Sequence, residues 1–392
     1  MPGKPRTRRS ATSGTSASPG SHASLRSANQ GRVLDVLRSG ELSHTQAELA
    51  RTTGLAPATI SNIVRDLSAA GLVDTQAGSG RRGSSVRLSR GAGLVAGVDF
   101  GHSHVAVAIG TLTGEVIAEE RRPLESTHAY ADSLALATTL IGDLSPDHAP
   151  VLRVAMGLPA PITDNIIRGP GILPGWNGAD GRALAEDAFG VPVDLENDAN
   201  LGALAEHHKG VGRGHRSSVF VKISSGVGAG IVLDDRLFHG AWGTAGELGH
   251  LTLDENGPVC RCGGRGCLEA YTSIDTLLAR TAGQLPATTL DELLAAARSG
   301  EASALRALED AGLHLGWGLA GVANLLNPEV LVIGGDMARA GELLLESARI
   351  GLRRHALDTV AQTPVRVSAL GHRASLLGAV LLAAEHTELS VD

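Results

Sequence analysis

Apolar positions in the first ninety residues recur at helical spacing, and the spacing then changes. In "RSANQGRVLDVLRSG" (26–40), Val33, Leu34 and Leu37 share one helical face, and Gly40 suits a stop. The next stretch, "SHTQAELARTTGLAPATISNIVRDLSAAGLVDT", reads as two helices around a tight turn. Ser43 and Gln46 fit a capping box at the start of the first helix, and Leu49 faces inward. Gly54 supplies the turn, and Pro57 suits the first turn of the second helix, which is expected to run to about Ala70. Ile60, Ile63, Val64 and Leu67 form its buried stripe, leaving Ala58, Thr59, Ser61, Asn62 and Arg65 outward. After Gly71 the pattern becomes extended, "LVDTQAGSGRRGSSVRLSR", a hairpin tipped by Arg81 and Arg82. Helix, turn, helix and wing are the parts of a winged helix-turn-helix, whose second helix reads a major groove. Arg81 and Arg82 are placed to meet phosphates or a minor groove.

From about residue 91 the chain turns to strands. "LVAGVDFGHSHVAVAIGTLTGEVIAEE" gives two strands around a glycine-containing turn, with Asp99 at a strand end. "VFVKISSGVGAGIVLDDRLFHGA" (219–241) repeats that plan, with Ser225, Gly226, Gly228 and Gly230 in its turn. Two such hairpins predict a duplicated α/β body with a cleft between two lobes. "VDLENDANLGALAEHH" places Asn197 and Asp198 between a strand and a helix. A paired amide and carboxylate there can hold hydroxyls, with Asp198 as a base, or can simply cap the helix. "NPEVLVIGGDMARAGELLLESA" adds a strand, Gly334 and Gly335, and a helix, a unit that suits an anionic ligand. The expected organisation is a basic disordered tail over 1–22, a DNA-binding module over 23–90 and the α/β body over 91–392.

Charge sharpens the division. Residues 1–90 carry 13 Lys or Arg against five acids, a net +8, while the remainder carries 21 bases against 36 acids, a net −15. A basic module on an acidic body suggests nucleic-acid binding by the module, and its helix-turn-helix pattern makes double-stranded operator DNA the expected partner. No run approaches eighteen uninterrupted apolar residues, and the basic opening lacks a secretory h-region, so a cytoplasmic protein without a membrane partner is expected.

All three cysteines, Cys260, Cys262 and Cys267, lie in "VCRCGGRGCLEAY". An odd number at this spacing serves a disulfide poorly and a metal well. Zinc in a closed structural site takes four thiolate or imidazole ligands, and His250, ten residues upstream, can complete a Cys₃His set. One structural Zn²⁺ per chain is the expectation.

"CRCGGRGCLE" fits the C-x-C-G-x-x-G-C-x-E signature of the ROK family (repressors, open reading frames and kinases), "GTAGELGH" is similar to the segment preceding it, and "ENDANLGALAE" resembles the family's catalytic segment. The resemblance covers about residues 91–388. It implies an actin-like, two-lobed sugar-kinase fold in which Asn197, Asp198, Glu247, His250 and Glu269, with Asn177 in "LPGWNG", meet sugar hydroxyls. It also implies that Asp198 is the catalytic base of any kinase activity. Asp99, Gly101, Ser225, Gly226, Gly228, Gly334 and Gly335 would then face a nucleotide. The kinases of the family carry D-x-G-G-T-K at the first phosphate turn, where this chain has "DFGHSH". His102 crowds a backbone meant to wrap phosphate, and His104 replaces a lysine whose charge assists phosphoryl transfer. These changes weigh against ATP and Mg²⁺; Asp198 and "SSGVGAG" weigh for them. The reading is a DNA-binding transcriptional repressor, a homodimer or homotetramer, controlled by a sugar or sugar derivative. The alternative is an active ATP-dependent sugar kinase with an accessory DNA-binding module.

Overall fold

The computed structural model describes residues 22–38, 43–76, 84–124, 129–146, 149–168 and 173–389. They form two compact units. One extends to Ala92 and takes back Glu388 and Leu389; the other spans Gly93–Thr387.

The first unit contains helices His22–Arg38, Gln46–Thr53 and Pro57–Ala69. A three-stranded antiparallel sheet orders His44–Thr45, Ser85–Leu88 and Val73–Gln76. Val33, Leu34, Leu37, Leu49, Ile60, Ile63, Val64 and Leu67 are all buried in one core with Val73 and Val86, and Leu389 packs against it. Gly54 ends the second helix in the left-handed conformation (φ 70°), and Pro57 opens the third. The capping box differs from the expected one. Thr45, not Ser43, caps the second helix: its hydroxyl accepts from Glu48 N at 3.2 Å, and Glu48 Oε2 accepts from Thr45 N at 2.7 Å. The reason is tertiary, because His44 and Thr45 are held extended by pairing with Val86 and Ser85, so the helix starts at Gln46. The wing is present as strands Val73–Gln76 and Ser85–Leu88; Arg81 and Arg82 lie outside the described residues.

The second unit holds two five-stranded sheets with one strand plan. In the first, Val193–Asn197, Val151–Leu158 and Leu94–Phe100 run parallel, followed by antiparallel His104–Thr111 and Val116–Pro123. The second repeats this with Val365–Val367, Val330–Gly334 and Ser218–Ile223 parallel, then Val227–Leu233 and Arg236–Leu237 antiparallel. Leu94–Phe100 is buried at every position, as a central strand covered on both faces requires. Helix Ala374–His386 packs on the first sheet, and helix Asp198–Lys209 packs on the second. The two helices meet at Gly378, where any side chain would overlap the Leu201 carbonyl. Their N-terminal turns therefore lie side by side. None of the described helices is long and apolar enough to cross a membrane.

Candidate functional site

A cavity of about 260 Å³ opens at the carboxyl ends of the strands, where ligands of open α/β sheets bind. Asp99, Gly101, Asn197, Asp198, Ser225, Gly226, Gly228, Glu247, His250, Glu269 and Gly335, all singled out from the sequence, line it. Three others are not brought in; one is Gly230, which lies in the strand Val227–Leu233 against the Ala199 carbonyl. Asn177 is exposed outside the lining, because its neighbour Trp176 is buried against Phe100 and Tyr130 and turns the chain outward. Gly334 also lies outside it, and packs under the Phe220 ring.

Asn197 combines both readings of its segment. Its Oδ1 accepts from Ala199 N at 2.9 Å and Asn200 N at 3.3 Å, capping helix Asp198–Lys209, while the residue still lines the cavity. Asp198 meets a partner that sequence reasoning missed. Lys222 Nζ lies 2.8 Å from Asp198 Oδ2 and 3.9 Å from Asp99 Oδ1, and donates to Ser375 Oγ at 2.9 Å. Ser375 in turn donates to the Asp198 carbonyl at 2.8 Å. Burial alone would raise Asp99, but Lys222 and His104 outweigh it and hold the carboxyl down to about 2. Burial would likewise lower Lys222, yet Asp198 and Asp99 raise it above the ordinary lysine value. His104 Nε2 is 3.5 Å from Asp99 Oδ2, and its Nδ1 is 3.1 Å from Arg121 Nη2. The expectation that losing the lysine at position 104 strips the turn of positive charge is thus corrected. Lys222, from the other sheet, and Arg121 bring charge back. A trace of Lys222 was visible, as the lone charge in the apolar strand "SVFVKI".

The other end of the cavity is acidic. Glu269 is buried; its Oε2 accepts from Val227 N at 2.9 Å and its Oε1 from Arg261 Nε at 2.6 Å. Arg261 also donates to the Ser225 carbonyl, joining the cysteine segment to the glycine turn. Burial, then Asp198 and Glu269, push Glu247 up to about 7. Such a group gains from a hydroxyl donor.

Beside it, His250, Cys260, Cys262 and Cys267 place one ligand atom each within 4.8 Å of one another, a set that could hold a metal ion. Cys262 and Cys267 sulfurs are 3.7 Å apart, and Cys260 Sγ is 3.8 Å from His250 Nδ1. A tetrahedron with metal–sulfur bonds near 2.3 Å has edges of about 3.8 Å, so the donors fit zinc in number, type and spacing. Gly263 (φ 90°) and Gly266 (φ 64°) make the path that gathers them. Nδ1 of His250 faces the thiols, and Nε2 faces Glu247 at 3.9 Å. Tyr271 stacks on His314 at 4.2 Å and holds this segment to the long helix Ala302–Leu326.

On the first unit, helix Pro57–Ala69 exposes Ser61, Asn62 and Arg65, with Thr59 half-buried. Arg65 Nη2 donates to Asn62 Oδ1 at 2.9 Å, and Ser61 Oγ donates to Gln46 Oε1 at 2.8 Å, so this outward face is braced.

A model of the ROK family matches residues 95–386, and a model of the MarR family matches residues 26–83. The chain is 28% identical over 373 residues to a xylose repressor of Bacillus spizizenii, covering 92% of this chain and 96% of that protein. It is 33% identical over 311 residues to a glucokinase of Halalkalibacterium halodurans, covering 72% of this chain and 92% of the enzyme. A solved structure described as a ROK family transcriptional regulator, homologous to the Escherichia coli MLC protein, superposes with a TM-score of 0.75. It shares 27% identity and covers 92% of this chain and 96% of that one.

Proposed function

The chain belongs to the ROK family, and on that premise we propose that it is a transcriptional repressor whose body receives a sugar and whose winged helix-turn-helix binds operator DNA. One observation carries the reading. The same chain presents a braced polar face on helix Pro57–Ala69 and a cavity walled by Asn197, Asp198, Glu247, His250 and Glu269. Carboxylates and an amide converging in a partly buried cavity select a polyol, because a ligand lacking the hydroxyls leaves them unpaired. Ser61, Asn62 and Arg65 are the base-reading candidates, with Thr59 at their edge; Arg81 and Arg82 are assigned to phosphates. The protein acts as a homodimer or homotetramer, since paired half-sites need two modules.

His250, Cys260, Cys262 and Cys267 hold one Zn²⁺, which supplies structural cross-linking. His250 then turns Nε2 to the cavity, so the segment that carries Glu247 and Glu269 is fixed beside the sugar. Phosphoryl transfer is absent or weak. Asp198 is already ion-paired to Lys222 at 2.8 Å, and the altered turn at Gly101–His104 cradles phosphate poorly. Ser225, Gly226, Gly228 and Gly335 are left as wall of the cavity.

A thermal-shift panel of monosaccharides, with Mg-ATP and product assays in parallel, tests the reading. One sugar should raise the melting temperature without turnover, since a ligand selective for the native state stabilises it. Turnover at kinase rates, on the order of 1–100 per second, abolished in Asp198→Asn, would promote the kinase instead.

A further inference from the structure

Lys222 is the one charged residue of the strand Ser218–Ile223, and its side chain is 16% exposed. An ammonium withdrawn from water needs counter-charges. It meets them on separate elements, Asp99 at the end of a strand of the other sheet and Asp198 at the start of a helix, and it also donates to the neutral Ser375 hydroxyl in the first turn of another helix. Asp99 is 3% exposed as a side chain, and its buried Oδ1 has no hydrogen-bond partner. Lys222 at 3.9 Å is the cation that oxygen faces. Two carboxylates converging on one point, with an oxygen left over, form the kind of hard-oxygen site that divalent cations take. In phosphoryl transfer such a charge arrives with the magnesium nucleotide. Here it is built into the chain.

We propose that Lys222 occupies a cation site formed by Asp99 and Asp198, so that its ammonium stands between the two carboxylates where a cation would sit, and Asp198 is positioned to accept from a sugar hydroxyl, without divalent metal or nucleotide. Lys222 is a positioning residue: it acts on the ligand through Asp198. Ser375 fixes the ammonium by accepting from it while donating to the Asp198 backbone. The Asp198 carboxylate is therefore held by its salt bridge to Lys222, whose ammonium also faces Asp99 on the other sheet. The part concerning sugar rests on the reading of the cavity given above; the part concerning the cation does not.

Titration of the full-length zinc-loaded chain with MnCl₂ alone, with free Mn²⁺ followed by electron paramagnetic resonance, tests the cation site. Wild type should bind no Mn²⁺ that depends on Asp99 up to about 1 mM, a weak-site concentration, whereas Lys222→Ala should gain about one per chain. That gain should vanish when Asp99→Asn is added. In thermal shift with D-xylose, D-glucose and N-acetylglucosamine, the wild-type response should be indifferent to MgCl₂ and to a non-hydrolysable ATP analogue. Lys222→Ala should lose the sugar response and recover it with Mn²⁺. Lys222→Arg should keep it, and Lys222→Met, which fills the space without charge, should fold and lose it with no metal rescue. Wild-type Mn²⁺ binding that Asp99→Asn removes would overturn the proposal. So would a Lys222→Ala protein that takes up no Mn²⁺, or a wild-type sugar response strengthened by magnesium nucleotide. If no sugar shifts wild type while Lys222→Ala gains Mn²⁺, the sugar reading fails and the cation site stands.

Discussion

Glu247 shows how a single residue trades stability for reception. With burial, Asp198 and Glu269 pushing its folded value to about 7 from an ordinary 4.5, the folded chain keeps a proton that the unfolded chain releases between those values. Stability contributed by this group therefore falls as pH rises from 4.5 to 7 and stays low above. Glu247→Gln removes the charge, so its melting temperature should exceed wild type at pH 8, with the gain shrinking toward pH 5. The same variant should weaken the sugar response, because an amide is a poorer acceptor than a carboxylate. Calorimetry at the two pH values, with and without sugar, checks both. Cys267 tests the neighbouring site. Burial and the two other thiols push it up to about 12, so filling the site must expel protons. Cys267→Ser should reduce zinc from about one per chain to none and lower the melting temperature by on the order of 10 °C. Metal analysis with thermal denaturation reads this, and a metal-free variant of unchanged stability would contradict it.

Among elements, the helix Gln46–Thr53 gives a clean comparison. Thr45→Ala removes the observed cap and should cost about 1 kcal/mol, while Ser43→Ala should cost next to nothing. Chemical denaturation of both variants decides it. Much of this unit was legible in the chain, because Val33, Leu37, Ile60, Ile63 and Leu67 repeat at 3.6-residue spacing and Gly54 and Pro57 punctuate them. The cap was not, since Ser43-x-x-Gln46 and Thr45-x-x-Glu48 both match the pattern and only the pairing of His44 and Thr45 with the wing strand separates them. The body divides in the same way. Its duplicated hairpins were readable, and the cysteine segment carried its own chemistry in eight residues. The Lys222–Ser375 bond spans 153 residues, and nothing local in either segment foretells it. It exists because two helices and two sheets bring those turns together, with Gly378 permitting the approach.

The whole molecule couples a basic module, net +8 over residues 1–90, to a body of net −15. Phosphate contacts release counterions, so operator affinity should fall steeply with salt, and Arg81→Ala with Arg82→Ala should flatten that slope without changing sequence preference. Asn62→Ala should alter preference more than general affinity. The central claim is that a sugar in the cavity controls what helix Pro57–Ala69 does on DNA. Fluorescence anisotropy of the full-length zinc-loaded chain on genomic promoter fragments, with and without each sugar that shifts its melting temperature, tests this most directly. The account predicts specific binding at low salt that one such sugar weakens, with the effect lost in Glu269→Gln and Cys267→Ser while DNA binding persists. Specific binding that no sugar alters, or no specific binding to any fragment, would contradict it.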